Sequence, residues 1–393
     1  MPPLKNSFTL VTLYIAAFVG YAGFSLLFPV MPLYAAELGA TIGQVGLIVA
    51  ANSYMTAILL IPMGMLCDKF GRHKLLIGGL AVFAAVPLLY PLASNPAQLT
   101  LVRAIHGLGA AAFLPAAIAL VIDLTPEAKR GEAIGWYTAS LQLGLMAGPI
   151  TGGFLLGHFG FDAVFFTCSA ISLIALAFAF SRLRTISHPP PAEATCARSW
   201  HWLSSVLIFV GMLTQLLVAI GSGTISSYIP LYGREFGITE AGAGAIITAL
   251  YGSSAILRAP AGKLADRVNK GQLIIGGLGI TVIAVALVAV FHSLFPLIMV
   301  AVLFGVGMGI AMPASLALVA ELAPARARGL AMAMGTAFFQ IGFALGATAM
   351  GGVAGASDFE TMFFACAASI AFGLLVLIGL MRVRSKQRDK ELL

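Results

Sequence analysis

A set of residues recurs once in this chain, and each recurrence falls 198 positions after the original. Pro32-Leu33-Tyr34, Gly39 and Thr41 return as Pro230-Leu231-Tyr232, Gly237 and Thr239. Gly107, Gly109, Pro115, Asp123, Pro126, Arg130 and Gly131 return as Gly305, Gly307, Pro313, Glu321, Pro324, Arg328 and Gly329. Gly144 and Gly148 return as Gly342 and Gly346. Chance does not hold one register without a gap over most of a half-chain. The pattern marks two parallel copies of one structural unit.

Composition says what that unit lives in. Sixty per cent of the residues are hydrophobic and only 9% are charged, which places the chain in the membrane class. A spanning helix needs about 20 apolar residues. Twelve runs qualify, at roughly 8–30, 44–65, 75–93, 98–122, 131–156, 162–182, 203–229, 242–262, 272–291, 295–321, 329–353 and 360–381. The expected fold is an all-α integral membrane protein of twelve transmembrane helices in two pseudo-symmetric six-helix bundles. The expected units are an N-terminal bundle (1–183), a linker (184–202), a C-terminal bundle (203–382) and a basic tail (383–393). The linker holds His188-Pro189-Pro190-Pro191 and no apolar run, so it reads as a connector without chemistry of its own.

Placing alternate loops on one side collects 19 of the 22 lysines and arginines there. Arg234 stands alone on the other side, and Arg103 and Arg258 fall inside spans. Both termini are therefore expected in the cytoplasm. The net charge of +7 reflects this topology, not a nucleic-acid partner. The first apolar run is long and lacks a small-residue cleavage site, so it reads as a retained helix. Cys67, Cys168, Cys196 and Cys366 have no metal or disulfide spacing, and no cofactor is called for.

Between the second and third spans, Asp68, Lys69, Arg72, His73 and Lys74 crowd five ionisable residues into seven positions. Such a segment must be a tight aqueous turn. Gly64 before it would let two helices approach closely, and Gly71 would permit a left-handed turn. Asp68 and Arg72 are four apart and within pairing range. Asp123 ends the fourth span on the same side. The second copy is weaker, with Asn269 and Lys270 where the first has Gly71 and Arg72.

With Gly64, Asp68, Gly71, Arg72 and Lys74 in order, the chain resembles the major facilitator superfamily. Leu101, Arg103, Gly107 and Gly109 look like that family's fourth-helix motif. Gly144, Gly148, Pro149, Gly152 and Gly153 look like its antiporter motif in the fifth helix. Pro29 and Pro32 also fit the drug:proton antiporter branch. The resemblance implies the major facilitator fold, a bacterial cytoplasmic membrane location and multidrug efflux by alternating access. It also implies that a network of Asp68, Arg72 and Asp123 shuts the cytoplasmic face when the transporter opens outward.

The fifth-helix motif has its own physical reading. Ser140, Gly144, Gly148 and Gly152 repeat every four residues and make one small-residue stripe, a surface for tight packing and for sliding. Pro149 removes a backbone hydrogen bond and should bend the helix.

Arg103 lies inside the fourth span, where an unpaired charge costs at least ~2.5 kcal/mol. His106 lies one turn further in, and Arg103 and His106 are the candidate coupling residues, His106 as proton carrier; Phe113, a candidate substrate contact, continues that face. Apart from Asp123, Glu132, Asp162, Glu321 and Glu360 at helix ends, no span contains Asp or Glu. Many exporters of cationic drugs carry an embedded carboxylate, so the cavity here should be positive and favour neutral or anionic amphiphiles. Further cavity candidates are Tyr21, Phe24, Asn52, Tyr54, Gln142, Gln215, Tyr251, Arg258, Met308, Met312, Gln340 and Phe343.

These residues point to a secondary active transporter exporting a small amphipathic molecule, coupled to protons and expected to be a monomer. No phosphate-binding glycine loop for nucleotide hydrolysis is present. The alternatives are a lipid flippase or scramblase of the same fold and a specific exporter or uniporter of an anionic metabolite. A membrane enzyme ranks last, because no paired intramembrane carboxylates, metal-ligand cluster or nucleophile–base spacing appear.

Overall fold

The structure, a computed structural model, describes residues 3–126, 129–183, 205–265, 267–324 and 328–391. The described residues form helices and no strand. In chain order these are α1 (Pro3–Ser25), α2 (Leu27–Glu37), α3 (Ile42–Phe70), α4 (Arg72–Ala85), which continues as a 3₁₀ helix over Val86–Leu92, and α5 (Pro96–Leu124). Then follow α6 (Arg130–Leu183), α7 (Val206–Glu235), α8 (Glu240–Ala265), α9 (Lys270–Val288), α10 (Leu294–Leu322), α11 (Arg328–Ala356) and α12 (Phe359–Glu391).

Eleven stretches are long and apolar enough to cross a membrane, among the described residues. One of them, Arg130–Arg182, has 53 residues, more than twice what a bilayer core accommodates. It folds back at Gly160, whose φ of 79° only glycine adopts without strain. The expected twelve spans are therefore present. In the second copy the equivalent position is Asp358, which instead caps α12 by accepting the Thr361 N–H at 2.7 Å.

Two expectations need correction. The first and seventh spans do not stop at their Pro-Leu-Tyr segments but run on to Glu37 and Glu235. Proline cannot donate to the residue four back; in the first copy the helix is interrupted at Leu26, just before Pro29, and resumes as α2. In the second copy α7 continues through Pro230. The sharp turn in α6 falls at Gly160, while φ and ψ keep helical values through Pro149. Finally, Gly64 sits in no close helix crossing, since a Cβ there would meet nothing within 4 Å. Its second-copy counterpart Gly262 is equally open. The linker 184–202 and the Asp68 side chain lie outside what is described.

Packing follows the repeat. A Cβ on Gly144 would come within 2.5 Å of the Phe18 carbonyl oxygen, and one on Gly148 would overlap the Ala22 carbonyl and Ser25. Gly342 and Gly346 meet Leu216 and Ile220, each 198 positions after its first-copy equivalent. Gly79 packs on Gly109 and Phe113, and Gly277 on Gly307 and Ala311. The stripe with Gly144, Gly148 and Gly152 thus presses α6 onto α1 and α2 inside the first bundle. Ser140, the stripe's fourth member, is half-buried and donates to the Trp136 carbonyl.

Candidate functional site: a cavity between two bundles

Between the bundles, α3 packs against α11 and α6 against α8. The close approaches use glycines. A Cβ on Gly46 of α3 would overlap the Ala347 carbonyl, and one on Gly244 of α8 would overlap the Pro149 carbonyl. Gly46 and Gly244 are repeat equivalents, as are Pro149 and Ala347. Gly153 meets Glu240 in the same way, and Gly351 its own bundle's Tyr228 and, across the interface, Ile42. Tyr54 adds a hydrogen bond to Thr348 at 3.0 Å, so it belongs to this seam and not to the cavity. Thr248 bridges to α6 by hydrogen bonds to Ile150 and Met146. All these approaches lie in the halves of the helices away from the basic loops. At the basic end Gly64, Gly131, Gly135 and Gly262 have open space around them. Gly46, Gly244 and Gly351 went unread in the sequence, although the 198-residue offset that links Gly46 to Gly244 and Gly153 to Gly351 marks them as part of the repeat.

Below that seam lies a cavity of about 260 Å³ that extends toward the basic end. Of the expected contact residues, Tyr21, Phe24, Asn52, Gln142, Gln215, Tyr251, Arg258, Met308, Gln340 and Phe343 line it, together with Arg103 and Met312. Phe113 does not. It is buried behind the wall, its ring 6.0 Å from that of Tyr21. The described lining contains two arginines and no Asp, Glu, Lys or His.

The two arginines differ. Arg258 lies between the bundles, where Gln142, with its amide turned so that the oxygen faces the guanidinium, accepts from Nε at 3.2 Å and Nη2 at 3.3 Å. Its Nη2 also lies 3.6 Å from the Met312 sulfur. Arg103 is only 3% exposed and does not snorkel to an interface. The reason is local: Gly107, one turn away, lets α5 come so close to α3 that a Cβ there would lie 2.5 Å from the Asn52 carbonyl. This places Arg103 beside Val49 and Asn52, with Nη2 donating to the Val49 carbonyl at 3.4 Å. Its Nε and Nη1 have no partner, nor has Asn52 Nδ2.

His106 shares the Arg103 side of α5 but sits behind the cavity wall. Its Nδ1 is 2.6 Å from the Tyr90 hydroxyl, and its ring stands edge-on to Phe24 and Phe83. At the basic end Arg72 forms an ion pair with Asp123 and donates to the Ala119 carbonyl at 3.0 Å. Lys270 and Glu321, their repeat equivalents, pair at 2.9 Å. Both pairs lie within one bundle, so neither bridges the two. Gly71 turns between α3 and α4 with φ 99°. Asn269, in its place in the second copy, caps α9 by accepting the Gly271 N–H at 2.8 Å.

Two pseudo-symmetric bundles around one cavity define a multi-pass membrane transport protein. The profile of the Major Facilitator Superfamily matches residues 13–209 and 211–392, and the chain belongs to that family. Its members are transporters, not enzymes. The chain is 28% identical to the multi-drug resistance efflux pump PmrA of Streptococcus pneumoniae, over 95% of this chain and 96% of that one. It is 27% identical to the multidrug resistance protein MdtG of Salmonella heidelberg, over 95% of each. Its fold is similar to a crystal structure of a bacterial homolog of the human lysosomal transporter Spinster, in an inward-facing and occupied conformation. That match has a TM-score of 0.81 at 16% identity and covers 98% of this chain and 97% of the other. The nucleoside transporter NupG (D323A mutant) has a similar fold, with a TM-score of 0.77 at 14% identity, over 95% of this chain and 99% of that one.

Proposed function

We propose that this transporter exports small amphipathic organic molecules from the cytoplasm by alternating access, in exchange for protons. The carrying observation is a cavity between the bundles, shut by the glycine seam at one end and extending to the basic end, with apolar walls and two arginines. The excess of Lys and Arg at that end supports a cytoplasmic orientation for it and for both termini, in a bacterial inner membrane. The efflux pumps it resembles support the outward direction.

Rocking the bundles about the cavity would separate Gly46 from Ala347 and Gly244 from Pro149 while the basic end closes. The hairpin with Asp68, Arg72 and Asp123 then meets the opposite bundle. The stripe with Gly144, Gly148 and Gly152 keeps α1, α2 and α6 moving as one body. The positive lining favours neutral or anionic amphiphiles over cations. Protons bind at His106, or at the carboxylates Asp68 and Asp123.

Proteoliposomes with an imposed pH gradient test this reading, using matched anionic, neutral and cationic compounds. Flux of anionic or neutral members that collapses with the gradient is expected. Gradient-driven flux of the cationic members alone would overturn the substrate class, and flux indifferent to the gradient would overturn the coupling.

A further inference from the structure

We propose that Arg103 and Asn52 form a subsite for one anionic oxygen group, of the carboxylate class, on the transported molecule. The inference rests on the reading of the cavity as the substrate site and adds to it where, and by which atoms, the substrate's charge is held.

The first observation is an imbalance of donors. Arg103 and Asn52 are 3% and 2% exposed, and both line the cavity. Nε and Nη1 of Arg103 and Nδ2 of Asn52 are buried without a hydrogen-bond partner. The third guanidinium nitrogen is held only at 3.4 Å by the Val49 carbonyl. All three orphans are donors. A buried donor without an acceptor is costly, and more so when it is charged. A carboxylate supplies two acceptor oxygens and the missing charge, and charge-assisted hydrogen bonds are the stronger kind.

The other polar groups of the cavity do not compete for that role. Gln215 Nε2 is spent on Ser315 and the Met312 carbonyl, Tyr251 pairs with Ser226 at 3.3 Å, and Arg258 is engaged by Gln142. The Tyr137 hydroxyl, the remaining orphan of the lining, carries no charge to attract an anion.

The second observation comes from the repeat. The positions equivalent to Asn52 and Arg103 in the second bundle are Leu250 and Ala301, both buried. The same helix crossing is made there, with Gly305 against the Leu250 carbonyl as Gly107 is against that of Asn52. Packing at this crossing is therefore satisfied by apolar side chains. The polar pair in the first bundle is thus not required by the packing of this crossing.

Purified protein in detergent tests this by calorimetric titration with naphthalene-1-carboxylate, naphthalene-1-carboxamide and 1-naphthylmethylammonium. Wild type should bind the carboxylate at least tenfold more tightly than either isostere. Arg103→Gln should lower carboxylate affinity at least tenfold and leave the carboxamide within about twofold; Asn52→Ala should do the same to a smaller degree. A parallel titration with decanoate distinguishes an acyl from an aromatic source of the carboxylate, and both should lose affinity in Arg103→Gln. Equal loss for carboxylate and carboxamide, or loss for neither, overturns the subsite. Should Arg103→Gln not yield monodisperse protein, Asn52→Ala decides by the same criterion. Equal binding of all three naphthalenes to wild type overturns the subsite and spares the cavity. Binding of none overturns both.

Discussion

Thr248 of α8 joins the two bundles at Ile150. Its hydroxyl accepts the Ile150 N–H at 3.1 Å and donates to the Met146 carbonyl at 3.0 Å. Those two backbone groups are four apart, the pair that a regular helix bonds to each other. Thr248 thus enters the α6 ladder one residue past Pro149, where the missing proline N–H has already loosened it. The repeat-equivalent position is Ala50, which packs with Ala344 and Ala347 and makes no such bond. The outer seam is therefore asymmetric at this pair of positions: Thr248 enters the α6 backbone ladder, whereas Ala50 packs by apolar contact and the hydrogen bond on its side is made by Tyr54 with Thr348.

Replacing Thr248 with Val keeps the shape and removes the bridge, while Ile150 and Met146 can pair with each other. One net hydrogen bond is worth about 0.5–1.5 kcal/mol. The outward-open population should rise by about two- to tenfold, read from spin-label distances across the outer end. An unchanged distance distribution would show that the seam is held by packing alone.

The glycines of the stripe and of the hairpin should respond in opposite ways. Gly148→Ala places a methyl against Ser25 and the Ala22 carbonyl, and overpacking of this kind costs about 1–3 kcal/mol. A lowered Tm and slowed exchange between inward and outward accessibility are expected. Gly64→Ala adds a methyl in open space and removes a helix-interior glycine, so Tm should hold or rise. A large loss in Gly64→Ala would mean that the hairpin packs tightly in another state of the cycle.

The ion pair of Arg72 with Asp123 is partly exposed, at 28% and 27% of the side chains. Partly exposed pairs contribute about 0–1 kcal/mol to stability. Asp123→Asn should therefore leave Tm nearly unchanged, and any large loss of transport would belong to closure of the basic end. Asp68→Asn should abolish transport at normal expression. Full transport by both variants would remove the hairpin from the gate.

His106→Gln keeps a polar side chain beside the Tyr90 hydroxyl and removes the titratable ring. If His106 carries the proton, substrate flux in vesicles should lose its response to the pH gradient while substrate binding persists. Gradient-driven flux equal to wild type would transfer the coupling to Asp68 and Asp123.

The offset of 198 residues carried most of the fold by itself. Two equivalent halves, twelve apolar spans and a basic side all follow from periodicity and hydropathy, because a bilayer demands helices of one length and the repeat demands that they be built twice. The partners of Gly144 and Gly148 obey the same offset. So do Gly46 and Gly244, although only their contacts reveal that they join the two bundles. The lining was legible in part. Polar residues inside spans must face a cavity or a partner, and of the thirteen cavity candidates all but Tyr54 and Phe113 line the cavity. Which of the two each faces is a matter of tertiary geometry. Tyr54 finds Thr348, His106 finds Tyr90, and Phe113 backs the wall, although all three lie on spans that also line the cavity. The pairing of Arg258 and the isolation of Arg103 were equally beyond the sequence, where both read as charges inside a helix. A hydrogen bond depends on neighbours distant in the chain, and only the packed bundles bring Gln142 to one guanidinium and leave Nε and Nη1 of the other without an acceptor.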